Sequence, residues 1–126
     1  MNTNRKSKKI TVRFSKRLKS EMQTALIKSG YGLHGKSRWL KEAITVFLLK
    51  PNFVDYVEHG ININQAELSE VEAFYFDLDT IQLVKDAFIQ VRVKYPLFEG
   101  VQSSFLRAAV VWSLMEKDFF PGKKSL

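Results

Sequence analysis

Seven consecutive residues, Lys9-Ile10-Thr11-Val12-Arg13-Phe14-Ser15, alternate apolar and polar side chains and then give way to two stretches of helical spacing. A strand turns successive side chains to opposite faces, so Ile10, Val12 and Phe14 share one face and Lys9, Thr11 and Arg13 the other. The first face is core and the second is basic and polar. A weaker copy of the same alternation returns about 65 residues later in Phe74-Tyr75-Phe76-Asp77-Leu78, where Phe74, Phe76 and Leu78 read inward and Tyr75 and Asp77 outward.

The helical segments behind the two strands repeat as well. Ser15 is placed to cap a helix whose apolar positions Leu18, Met22, Ala25 and Leu26 follow helical spacing, and Gly30 suits its left-handed stop. A loop through Gly32 and Gly35 leads to Ser37, the next expected cap. Trp39, Leu40, Ala43, Ile44, Phe47 and Leu48 then form an apolar stripe that runs until Pro51. In the second copy Asp79 is the expected cap and Val84, Ala87, Phe88 and Val91 share a helical face that Tyr95-Pro96 ends. After Gly100, a Ser103-Ser104 cap opens Phe105, Leu106, Ala109, Val110 and Leu114. Phe105-Leu106-Arg107-Ala108-Ala109-Val110 superposes on Trp39-Leu40-Lys41-Glu42-Ala43-Ile44, and strand, helix, helix in the same order twice reads as duplication. The expected organisation is a first unit over 1–50, a linker over 51–71 with a helical turn near Val54 to Val57, a second unit over 72–120 and a tail over 121–126.

At 126 residues and 45% hydrophobic, the chain can bury one modest core or two small ones that share surface, which excludes a large multi-layer enzyme domain. No apolar run approaches a membrane span, the basic start lacks the apolar segment of a leader, and there is no cysteine. These features point to a cytoplasmic protein without disulfides or thiolate metal sites. Charge is strongly polarised. Residues 1–50 hold thirteen Lys or Arg against Glu21 and Glu42, a net +11, whereas residues 51–126 hold seven against eleven acids, a net −4. A basic half of this kind faces a polyanion, and the acidic half faces something else.

Strand, helix, glycine turn and second helix, with alternating polar residues on the strand and a serine opening the second helix, resembles the ribbon-helix-helix DNA-binding proteins of the MetJ/Arc type. Lys9 to Leu48 is similar to one complete unit. Tandem copies in one chain resemble the TraY-type plasmid conjugation and regulatory proteins. The resemblance implies a mainly α fold with a short β-ribbon, in which two units form a pseudo-dimer within one chain or a dimer of chains. It further implies a ribbon that enters the major groove, with Lys9, Thr11 and Arg13 on the bases and Lys36, Ser37 and Arg38 at a phosphate, and a role in transcriptional regulation or relaxosome assembly. Independently of the family, Arg13 and Lys9 can hydrogen-bond guanine, Thr11 can touch a base edge or a thymine methyl, and a helix start at Ser37 attracts an anion. Intramolecular pairing is the favoured assembly, since the linker is long enough to return the second strand and an unpaired Phe74-Phe76-Leu78 edge invites aggregation. It is expected to set Asp77 close to Arg13. In the second copy Asp77 stands for Arg13, Tyr75 for Thr11, Gln102 for Lys36 and Ser104 for Arg38, which makes that copy the weaker reader, with Tyr75 a minor contact.

Two other classes are carried alongside. The acidic second unit would be the working surface of a protein-interaction module of the antitoxin kind. Gly30-Tyr31-Gly32-Leu33-His34-Gly35-Lys36-Ser37 also fits the phosphate loop of nucleotide hydrolases, with Asp77 behind a magnesium ion. That loop must follow a buried parallel strand, and Leu18 to Ser29 has helical spacing instead. No catalytic arrangement, metal ligand set or cofactor motif stands out, and Trp39 and Trp112 fall on core stripes. The expected partners are therefore double-stranded DNA, further copies of the chain on that DNA, and a protein at the acidic unit.

Overall fold

The two strands meet within one chain. The computed structural model describes residues 7–59 and 67–119, and these are mainly helical around one two-stranded antiparallel sheet. In order, the elements are β1 (Ser7–Phe14), α1 (Lys16–Lys28), a 3-10 turn (Leu33–Gly35), α2 (Lys36–Phe47), α3 (Phe53–His59), β2 (Glu70–Asp77), α4 (Leu78–Lys94) and α5 (Val101–Phe119). Gly60, Asn62 and Asn64 of the expected linker and the tail over 121–126 lie outside the described residues.

The ladder runs from Ser7 opposite Asp77 to Phe14 opposite Glu70, with Thr11 facing Ala73 at the middle. Val12 and Phe14 from β1 and Phe74 and Phe76 from β2 are buried beneath it, and Ile10 is half-buried at the margin. The rings of Phe14 and Phe74 lie 6.1 Å apart and those of Phe74 and Phe76 stack at 6.2 Å. Each such side chain contributes about 1.5–3 kcal/mol on burial.

α1 forms as its sequence directs. The Leu18 amide donates to Ser15 Oγ at 3.1 Å, Leu18, Met22 and Leu26 face the core, and Gly30 takes φ +86° beyond the last turn. α2 differs at its start. Gly35, not Ser37, is the capping residue, and no side chain caps the first turn. The stripe Trp39, Leu40, Ala43, Ile44 and Phe47 is buried as its spacing requires.

The second half corrects several boundaries. β2 begins at Glu70, inside the segment expected to be linker, and places Glu72, Phe74 and Phe76 inward. Leu78, expected inward, is 50% exposed at the first position of α4. The cap of α4 is Asp77 rather than Asp79, its carboxylate accepting from the Thr80 amide at 2.8 Å. α5 opens at Val101 after Gly100 (φ +70°), so Ser103 and Ser104 lie in its first turn instead of capping it. α3, expected as one helical turn in a connector, inserts Phe53 and Val57 into the core. α2 packs chiefly on α5, and a ring cluster of Phe47, Phe53, Phe88, Phe105 and Trp112 fills the space where α2, α3, α4 and α5 converge.

Candidate nucleic-acid interface

The outer face of the sheet carries Lys9, Thr11 and Arg13 from β1, all exposed. β2 sets Tyr75 opposite Lys9, Ala73 opposite Thr11 and Val71 opposite Arg13. Val71 is 57% and Tyr75 54% exposed, so the expected contact Tyr75 does share this face with the three expected readers. Alternation alone brings the β1 set together, because the inner face is claimed by Val12 and Phe14.

Arg13 is held from two sides. Its guanidinium Nη1 donates to the Leu68 carbonyl at 3.2 Å, and its own carbonyl accepts from Arg107 Nη1 at 3.0 Å. Arg107 rises from α5 and is 5% exposed, and burial pushes its guanidinium pKa down. Asp77 is not beside Arg13, as the intramolecular pairing was expected to set it. The register puts it at the far end of the ribbon opposite Ser7. There the Thr80 amide and the Lys41 ammonium, 2.9 Å away, hold its carboxyl well below the usual carboxylate range.

Lys36, Ser37 and Arg38 stand in the first turn of α2, and Ser37 Oγ accepts from the Tyr75 amide at 2.9 Å, which ties that turn to the edge of β2. The three side chains are differently engaged. Lys36 Nζ lies 2.7 Å from Glu72 Oε1 and 5.4 Å from the Phe74 ring. The Arg38 guanidinium is exposed and sits 4.8 Å from the centre of the Tyr31 ring, whose hydroxyl is hydrogen-bonded to Glu42. Lys19 completes the group around Glu72, at 3.1 Å from Oε2. Burial pushes the Glu72 carboxyl up, but the hydrogen bonds from Lys36 and Lys19 outweigh it and leave the group below its ordinary value.

Sequence reasoning missed Arg107 and Glu72. Each left a signal: Arg107 is a lone cation in the apolar run Phe105 to Trp112, and Glu72 occupies an inward position of β2. The Gly30 to Ser37 segment follows the helix α1, and the only sheet among the described residues is antiparallel. Among those residues no group of three His, Cys, Asp or Glu could hold a metal ion, and no helix is long and apolar enough to cross a membrane. No family model, no curated protein and no solved structure matches the chain.

Proposed function

We propose that the protein binds double-stranded DNA sequence-specifically, laying the β1–β2 ribbon in the major groove, as a tandem ribbon-helix-helix protein whose two units pair within one chain. Its role is transcriptional regulation or the assembly of a DNA-processing complex such as a relaxosome. The observation that carries this reading is the row Lys9, Thr11, Arg13, exposed in line on a ribbon two strands wide. A major groove admits such a ribbon, and these three side chains suit guanine acceptors and base edges. The net +11 of residues 1–50 supplies the attraction to phosphate.

The duplication gains support from the caps. Ser15 and Asp77 each close a strand and open a helix, and on that alignment Val12 matches Phe74, Phe14 matches Phe76 and Thr11 matches Ala73, its own ladder partner. Arg13 then corresponds to Tyr75 instead of Asp77. Arg38 is the leading phosphate contact, Ser37 Oγ being engaged by β2 and Lys36 reaching a phosphate only by leaving Glu72.

The experiment compares two variants on a selected site and on random duplex. Arg13→Ala should lose discrimination between them. Arg38→Ala should weaken both alike and lower the slope of log affinity against log salt by about one. Equal losses for both variants on every sequence would defeat the claim of specificity. A second reading, a protein-interaction module in the second unit, draws on Ile89 and Val93 of α4 and Leu97 just beyond it, all strongly exposed at four-residue intervals. It predicts that charge changes at all three abolish partner capture and leave duplex binding intact.

A further inference from the structure

The two rows of side chains on the outer face of the ribbon differ in kind. β1 lays out Lys9, Thr11 and Arg13, and β2 lays out Val71, Ala73 and Tyr75. Because Lys9 faces Tyr75 and Arg13 faces Val71, each end of the ribbon carries one cation and one apolar group. A half-turn about the central Thr11–Ala73 pair therefore exchanges a cation for an apolar side chain at both ends. A valine and a tyrosine more than half exposed on a short ribbon contribute little to the core, and on an accessible sheet they carry an aggregation hazard. The cations beside them commit that surface to an anionic partner. Among base edges in the major groove, the apolar group such a row can meet is the thymine methyl.

Resting on the reading of this ribbon as a duplex-reading surface, we propose that Val71, Ala73 and Tyr75 read thymine methyl groups, and that the recognised site is non-palindromic because hydrogen-bond readout comes from β1 and methyl readout from β2. Desolvating a methyl against an exposed valine or tyrosine removes apolar surface on both sides. The Tyr75 amide bond to Ser37 Oγ fixes the backbone from which the phenyl ring projects.

Selection by the full chain from a random duplex pool supplies the site. The enriched sequence should lack an inverted repeat and contain thymines, and replacing those with deoxyuridine, which removes only the methyl, should weaken binding about fourfold for each thymine contacted. The triple variant V71K/A73T/Y75R copies the β1 row onto β2 and should shift the enriched sequence to an inverted repeat. An inverted repeat selected by the unaltered chain would overturn the division of labour between the two strands, deoxyuridine duplexes bound as tightly as thymidine ones would overturn methyl readout, and either result leaves the ribbon reading standing. The deoxyuridine comparison uses the unaltered protein, so it decides the matter even if the triple variant fails to fold. Absence of any enrichment, with R13A binding all duplexes as the unaltered chain does, removes the ribbon reading and the methyl readout together.

Discussion

At the scale of single residues, Glu72 governs more than its size suggests. It is 7% exposed on the inner face of β2 and gathers Lys19 from α1 and Lys36 from α2, so three elements share one carboxylate. Its pKa is depressed in the folded protein, so its contribution is fully present above the ordinary glutamate value of 4.5 and is lost as pH falls through the lower folded value. Urea unfolding followed from pH 7 down to pH 3 should show the wild type losing stability on acidification. Glu72→Gln should lose about 1–3 kcal/mol at neutral pH and show a flatter acid limb. Equal acid slopes for the two proteins would contradict this account. Arg107 is the counterpart under β1, a buried cation spent on the Arg13 carbonyl, which holds the backbone of the main expected base reader in one place.

At the scale of elements, the position of the α4 cap can be tested directly. Asp77→Ala should cost about 1 kcal/mol of stability, whereas Asp79→Ala, inside the first turn of the helix, should change it by no more than about 0.5 kcal/mol. Thermal or urea melts of the two variants check this, and the reverse order would restore the cap expected from sequence. This element also marks where the sequence stopped being legible. β1, α1 and the α2 stripe follow from alternation, from Ser15 and from helical spacing, because each signal is local and nothing competes with it. In the second half, Phe74-Phe76-Leu78 and Glu72-Phe74-Phe76 have the same parity, and Asp77 and Asp79 are both chemically fit to cap. Glu72 takes an inward position beside Lys19 and Lys36, which are distant in sequence, and no local window of sequence displays that pairing. The same limit applied to α3, where Phe53 reads as linker until Phe47 and Phe105 surround it. At the candidate interface the β1 row was legible from parity alone. The engagement of Lys36 and Ser37 with β2 was not, since neither contact is local.

At the scale of the whole molecule, one chain supplies both strands of its ribbon and the helices α2 and α5 that pack beneath it. Proteins whose fold is completed only by a second subunit gain stability as they are concentrated. This chain should not. Its urea midpoint is expected to stay fixed over roughly a hundredfold range of protein concentration, and a midpoint that rises with concentration would show that a partner copy completes the fold. Under the DNA-binding function proposed above, filling of a solitary site should climb hyperbolically with the number of molecules in the cell, without the threshold that an assembling pair imposes at low copy number. Early after its gene is first expressed, such a protein can act singly.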